Sequence, residues 1–89
     1  KQIDDNTREQ LNQKQLIFLG NLASVLSDSE WSDEAIGNTI REMTSASEIS
    51  GREAYVALYW AMLGRSHGPK ASALIFEIGK TAAVELFSS

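Results

Sequence analysis

Apolar residues recur at helical spacing along most of this chain, beginning close to its N-terminal end. Between residues 7 and 26, polar side chains separate the following apolar ones: Leu11, Phe18, Leu19, Leu22, Val25 and Leu26. This pattern predicts an amphipathic helix over residues 7–26 that turns one face towards a core. The polar segment 27–32, "SDSEWS", is expected to end this helix.

A second helix is predicted to begin after Ser32. The Ser32 hydroxyl can cap its first turn, where Asp33 and Glu34 place negative charge near the positive end of the helix dipole. Trp31, directly before this cap, is placed to act as a hydrophobic staple. Residues 44–50, "TSASEIS", are rich in small hydroxyl side chains and are predicted to form a loop. The expected core face consists of Ala35, Ile36, Ile40 and Met43.

Ser50 and Glu53 have the spacing of a capping box, in which each side chain accepts a hydrogen bond from the other residue's backbone amide. A third helix is therefore predicted to start there. Its sequence, "AYVALYWAML", is apolar on every face, so we expect this helix to lie at the centre of the domain. Tyr55 and Trp60 are expected to pack in the core, the alternative being that they stack on RNA bases.

Glycine and proline mark the limits of the last helices. Gly64 is placed as a left-handed C-terminal stop, and Pro69 can occupy the first position of the next helix, which should end at Gly79. Residues 81–87 are predicted to form a final helix. The buried positions expected in these two elements are Ala71, Leu74, Ile75, Ile78, Val84 and Phe87. With no period-two alternation and no repeat, the pattern predicts an all-α fold, a small bundle of about five helices.

The length of 89 residues allows one small helical domain, residues 1–89. Because the chain begins at Lys1 with neither an initiator methionine nor a signal-peptide pattern, we expect it to be a piece of a longer protein. The absence of cysteine excludes disulfides, thiolate metal sites and a cysteine nucleophile, and the expected location is cytoplasmic. The longest apolar stretch, residues 54–63, is much shorter than the roughly 20 residues of a membrane-spanning helix, so we expect a soluble domain.

Charge is distributed unevenly along the chain. The net charge of −4 argues against a strong non-specific grip on nucleic acid, which rests on basic side chains that neutralise phosphates. Acidic residues outnumber basic ones up to residue 50, whereas the balance is reversed after it by Arg52, Arg65, Lys70 and Lys80. An anionic partner is therefore expected at the second half of the chain.

The segment 64–70, "GRSHGPK", is the strongest candidate for a binding site. The backbone amides at the start of the following helix form a natural site for an anion. Tyr59 lies about one helical turn before this segment, so its phenol can emerge beside it. A plain helix–helix turn is the other interpretation. The basic side chains that surround the glycine–proline pair are Arg65, His67 and Lys70.

Other short motifs in the sequence do not indicate a catalytic, phosphate-binding or metal-binding role. The letters "GKT" at residues 79–81 lack the upstream glycine of a phosphate-binding loop, because Leu74 lies there within a helix. Ser66 and His67 are adjacent in a turn and are poorly placed to form a hydrolase pair. With one histidine and no cysteine, we expect neither a catalytic residue nor a metal site.

Residues 54–87, "AYVALYWAMLGRSHGPKASALIFEIGKTAAVELF", carry an ordered series of motifs. An apolar helix ends in Leu-Gly, then three variable residues precede Gly-Pro, and a short apolar helix leads through Gly-Lys to a final helix ending in Leu-Phe. This order resembles the C-terminal end of class I lysyl-tRNA synthetases and, less closely, of bacterial glutamyl-tRNA synthetases.

The resemblance implies a helical anticodon-binding domain of an enzyme that uses ATP to attach an amino acid to tRNA. The chain itself would then perform no catalysis and bind no cofactor, since ATP belongs to the catalytic domain of the parent chain, a lysine–tRNA ligase. The implied partners are the tRNA anticodon loop and that catalytic domain, in a monomer without a membrane contact. The alternatives are the same domain of a glutamyl-tRNA synthetase and a helical protein-interaction module whose acidic first half contacts a basic partner.

The resemblance also implies which residues meet tRNA. In the glutamyl branch, the positions that match Gly68, Pro69 and Ala71 line the anticodon pocket. An arginine that contacts a base there corresponds to Tyr59, and a tyrosine at this position favours the lysyl branch. The bases of a U-rich anticodon would be held by stacking and by hydrogen bonds to their edges. The predicted tRNA contacts are Tyr59, Arg65, His67, Gly68, Pro69, Lys70 and Ala71, with Arg52 as a phosphate contact.

Overall fold

The computed structural model describes residues 9–88, and five helices lie wholly within them. In chain order they are α1 (Gln13–Leu26), α2 (Asp33–Ala46), α3 (Gly51–Leu63), α4 (Ala71–Ile78) and α5 (Lys80–Phe87). α1 packs against α2, α3 and α5, and α4 packs against α2. The described residues form no strand, so the predicted all-α bundle is confirmed. None of the helices in this part of the chain is long and apolar enough to cross a membrane.

α1 begins later than the sequence pattern suggests. Residues 7 and 8 of the predicted helix lie outside the described range, and Leu11 and Asn12 interrupt the helical backbone. Asn12 caps α1: its side chain accepts from the amide of Gln15 at 2.8 Å, while the Gln15 side chain accepts from the amide of Asn12 at 3.0 Å. The break was missed because Leu11 is buried and so continues the apolar pattern across it. Gln15 also donates to the carbonyl of Glu53 at 2.9 Å, which joins the first turns of α1 and α3.

α2 begins at the predicted cap, with the Ser32 hydroxyl accepting from the amide of Ala35 at 3.1 Å. Ile36 and Ile40 are fully buried, whereas Ala35 and Met43 are half-buried. The predicted loop over residues 44–50 is wrong for its first three residues, which belong to α2. The hydroxyl of Thr44 donates to the carbonyl of Ile40 at 2.7 Å, so a hydroxyl residue that favours loops is satisfied within the helix.

α3 starts with the predicted capping box, in which Ser50 and Glu53 exchange hydrogen bonds of 3.0 and 3.1 Å. It contacts all four other helices, which confirms its central position, but all three of its aromatic side chains are only half-buried. Tyr55 and Trp60 pack against the core from its edge. The buried residues of α3 are Ala54, Ala57 and Leu58, whereas those of α1 are Gln15, Phe18, Leu19, Leu22, Ala23 and Leu26.

The last two helices differ from the prediction in where they begin and in how deeply some of their apolar residues are buried. Gly64 ends α3 in the left-handed conformation, with φ 70° and ψ 27°, as predicted. Pro69 does not occupy the first position of α4, because Lys70 has an extended ψ of 122° and the helix begins at Ala71. In the predicted apolar stripes, Ile78 is 40% exposed, and Leu74 and Val84 are only half-buried. α5 begins at Lys80, one residue before the predicted start.

Trp31 and Lys80 fasten the junction between α4 and α5 to the segment before α2. The indole of Trp31 donates to the carbonyl of Phe76 at 3.3 Å, and the ammonium of Lys80 donates to the carbonyl of Ser29 at 2.8 Å. Lys80 also lies 5.7 Å from the centre of the Trp31 ring. The lysine of the "GKT" letters therefore has a structural role in the bundle.

Candidate nucleic-acid interface

The turn between α3 and α4, residues 64–70, is exposed at every position. Within the turn, the Arg65 Nε donates a hydrogen bond to the carbonyl of His67 at 3.0 Å, so this side chain stabilises the backbone of its own turn. A guanidinium has five N–H donors, and the described residues provide no further partner for those of Arg65. The backbone amides of residues 65–68 likewise have no acceptor among residues 9–88. The turn thus presents several unused hydrogen-bond donors to solvent.

Tyr59 supports this turn from beneath. Its phenol donates to the carbonyl of Pro69 at 2.7 Å, and the ring packs against Gly68. A methyl group added to Gly68 would lie 2.5 Å from Leu63 Cδ1 and 3.5 and 3.6 Å from two carbons of the Tyr59 ring. A side chain at position 68 would therefore force either the Leu63 side chain, which is 38% exposed, or the turn to shift. The predicted RNA contact of Tyr59 is limited to the part of its ring that Gly68 leaves exposed.

Replacing Tyr59 by phenylalanine is expected to lower the free energy of unfolding by about 0.5–1.5 kcal/mol, because the bond to Pro69 is lost. Urea unfolding measures this change. Tyr55→Phe is the matched control, since the Tyr55 hydroxyl has no side-chain partner in the described part of the chain. Equal effects of the two substitutions would show that the bond to Pro69 does not hold the turn.

The start of α4 already lies beside a carboxylate of this chain. Asp33, the first residue of α2, accepts at Oδ1 from the Ser72 hydroxyl at 2.7 Å, and the same atom lies 3.1 Å from the Lys70 ammonium. Lys70 is the N-cap residue of α4, which has no side-chain cap of its own. The anion-binding amides predicted at this helix start are therefore next to Asp33, and the predicted cation Lys70 is paired with it.

The pKa of the Asp33 carboxyl is lowered from its ordinary value of 3.8, first by the hydrogen bond from Ser72 and second by Lys70, against the opposing effect of desolvation. A carboxyl with a lowered pKa stabilises the fold above its unfolded-state pKa, and this contribution disappears as pH falls through the folded-state value. We expect an NMR titration of Asp33 to give a pKa below 3.8, and Ser72→Ala to raise it. A value unchanged by Ser72→Ala would contradict this assignment.

Asp33 and Lys70 lie at one end of a groove of about 330 Å³ between α2 and α4. The groove contains two acidic and two basic side chains, so its formal charges cancel. Arg41 is one of the basic ones and donates to the side chain of Asn38 within α2. The residues that line the groove are Asp33, Glu34, Gly37, Arg41, Lys70 and Ser72.

The structure brings together most, but not all, of the predicted contact residues. Tyr59 and residues 65–70 form one continuous feature, whereas Ala71 is 2% exposed and packs in the core, so its side chain supports the start of α4. Arg52 is exposed in the first turn of α3, and the turn follows the last residue of that helix. At 1.5 Å per residue, this separation is about 18 Å along the axis of α3. Arg52 therefore belongs to a different part of the surface.

Sequence reasoning missed Asp33, Arg41 and Ser72 as neighbours of the turn. Asp33 and Ser72 are 39 residues apart in the chain, and only the packing of α2 against α4 joins them. Asp33 did carry a sequence signal, but as a first-turn acid of α2. Nothing in the local sequence indicates that one carboxylate serves the starts of two helices.

Comparison with known proteins agrees with these features. Residues 1–85 match the family model described as an anticodon binding domain. A lysine–tRNA ligase from Picrophilus torridus is 28% identical over 87 residues, which are 98% of this chain and 16% of that relative. No solved structure matches the chain. Because the family model covers nearly all of the sequence, the chain belongs to the anticodon-binding domain family.

Proposed function

We propose that this chain is the tRNA anticodon-binding domain of a class I lysyl-tRNA synthetase and supports the ATP-dependent attachment of lysine to tRNA. The similarity to a lysine–tRNA ligase over 98% of the chain supports this choice of enzyme. The observation that carries the proposal is the exposed turn 64–70. Tyr59 braces its backbone, and several of its hydrogen-bond donors have no acceptor among residues 9–88.

The turn suits the recognition of unstacked bases. Single-stranded RNA loops are recognised by hydrogen bonds to base edges and by stacking on aromatic or guanidinium planes. Arg65 provides a guanidinium and His67 an imidazole, and Gly68 and Pro69 present a surface with little side-chain bulk. Because the Tyr59–Pro69 bond holds this backbone before RNA arrives, less conformational entropy is lost on binding.

The negative net charge is consistent with a domain that contributes specificity while other parts of the protein contribute affinity. Phosphate contacts provide affinity and position, whereas base contacts provide specificity. In this proposal the chain, with a net charge of −4, contributes discrimination at the anticodon, and other parts of the parent protein contribute most of the affinity. ATP binding and catalysis belong to a separate catalytic domain of the parent protein. In this proposal the parent protein is monomeric and cytoplasmic. The chain spans 16% of the length of its lysine–tRNA ligase relative.

The test is aminoacylation by the full natural protein with a lysine tRNA and with the same tRNA carrying a replaced anticodon. We expect attachment of lysine, with kcat/KM at least about tenfold lower for the replaced anticodon, which corresponds to about 1.4 kcal/mol of transition-state stabilisation. Arg65→Ala should reduce this discrimination. Arg52→Ala is the matched control, since Arg52 lies away from the turn and should affect both tRNAs alike.

Three results would contradict the proposal in different ways. Attachment of glutamate instead of lysine would favour the glutamyl-tRNA synthetase alternative. Equal rates with both anticodons would show that the domain does not read these bases. A protein that charges no tRNA would favour the protein-interaction module.

A further inference from the structure

Among residues 9–88, Lys70 is the one cation of the turn that has an acidic partner. Its ammonium lies 3.1 Å from Asp33 Oδ1, and that atom also accepts the hydroxyl of Ser72. Both contacts come from the first turn of α4, at its N-cap and its second residue. Asp33 is itself the first residue of α2, so the packing of α2 against α4 brings this carboxylate to the start of α4, where the Lys70 side chain is 73% exposed. The Asp33 carboxylate is ionised at neutral pH, and its lowered pKa extends this charged state to more acidic solution.

The Lys70–Asp33 pair weakens the electrostatic attraction between Lys70 and an approaching phosphate. Two opposite charges about 3 Å apart largely cancel at distances that exceed their separation, and salt screens the remainder within about 8 Å. Glu34 adds a further negative charge to the same groove, where Arg41 and Lys70 supply the positive ones. A phosphate that reaches Lys70 must therefore approach a carboxylate as well.

We infer that Asp33 is a positioning residue that withholds Lys70 from RNA phosphates, so that the turn selects RNA by base contacts and not by charge. This inference rests on the proposed function, since it assumes that RNA meets the turn. A phosphate contact strengthens the binding of every sequence, including RNAs bound in the wrong register. Asp33 thus limits non-specific binding next to the residues that read bases.

Asp33→Asn in the full natural protein tests the inference. Asparagine has nearly the same shape, and its side-chain oxygen can still accept from Ser72, but it no longer neutralises Lys70. Binding is measured to a lysine tRNA anticodon stem-loop and to the same loop with a scrambled anticodon, over a range of salt concentrations. We expect tighter binding of the scrambled loop, a smaller gain for the true one, and a log K against log salt slope steeper by about 0.7, the value of one single-strand phosphate contact.

Two further variants separate charge at Lys70 from other effects. Glu34→Gln removes the same charge from the same groove and the same first turn of α2, but Glu34 has no side-chain partner within residues 9–88, so we expect a much smaller change of slope. Lys70→Ala alone should leave the slope of the wild-type protein unchanged, whereas in the Asp33→Asn background it should remove the added dependence on salt.

The possible failures are distinguishable. If the wild-type protein binds both loops alike, the proposed function is wrong and the inference is overturned with it. If the wild-type protein discriminates but Asp33→Asn leaves the slope unchanged, or Glu34→Gln steepens it equally, the inference alone is overturned. If Asp33→Asn fails to fold, Lys70→Ala decides: a slope reduced by about 0.7 would show that Lys70 already contacts a phosphate and would overturn the inference.

Discussion

Gly68→Ala is expected to weaken binding of the true anticodon stem-loop about tenfold, equivalent to about 1.4 kcal/mol, while the bundle stays folded. The added methyl group would lie 2.5 Å from Leu63 Cδ1, a separation that forces either the leucine or the turn to move. Because Tyr59 packs on the same glycine and binds Pro69, displacement of the turn also disturbs this brace. Binding is measured by titration of the full natural protein, and folding by circular dichroism.

Two controls determine whether the close approach is the cause. Gly20→Ala introduces the same methyl group into α1, where no atom of the described residues 9–88 lies within 4 Å of it. RNA affinity should therefore not change, and the helix should gain about 0.5–1 kcal/mol of stability. Leu63→Ala removes the clashing atom, and Gly68→Ala should cost much less in that background. A loss of affinity that persists in the double variant would contradict the proposed packing of Gly68 against Leu63.

Phe18→Ala is expected to lower the free energy of unfolding by about 3–5 kcal/mol. Phe18 is 2% exposed in α1, the helix with the most buried residues, and its removal leaves a cavity that the surrounding side chains cannot fill. Because the total stability of a domain is only about 5–15 kcal/mol, the variant should be partly unfolded near physiological temperature. Thermal unfolding of the 89-residue chain measures the effect, at about 4–8 °C for each kcal/mol.

Ile17→Ala is the matched control for this substitution. Ile17 precedes Phe18 in the same helix and is also a large apolar residue, but it is 53% exposed. Its replacement should change the free energy of unfolding by no more than about 0.5 kcal/mol. Similar losses at the two positions would show that the face of α1 assigned to the core is wrong.

Features encoded within a few residues could be predicted from the sequence. The capping box of Ser50 and Glu53 and the left-handed Gly64 both occur where the pattern indicates, because each depends on neighbours along the chain. The start of α1 lies later than the sequence pattern predicts, although the signal for it is also local. Its cap is Asn12, but the buried Leu11 before it imitates one more turn of the helix.

Features that depend on packing between helices could not be predicted. An apolar residue such as Ile78 looks the same in the sequence whether a neighbouring helix covers it or not, and it is 40% exposed here. The composition of residues 64–70 indicates a candidate turn, but it does not indicate which contacts hold that turn in place. The Tyr59–Pro69 bond depends on the exact path of the turn, and the Asp33–Ser72 contact depends on how α2 meets α4.

The most direct test of anticodon recognition by the turn is an NMR titration of the isotope-labelled 89-residue chain at low salt. The ligands are a lysine tRNA anticodon stem-loop and the same loop with a scrambled anticodon. We expect shifts concentrated at Tyr59 and residues 65–71, and larger for the true anticodon. Shifts of equal size with both loops, or shifts confined to surfaces away from α3 and the turn, would contradict recognition by residues 64–70.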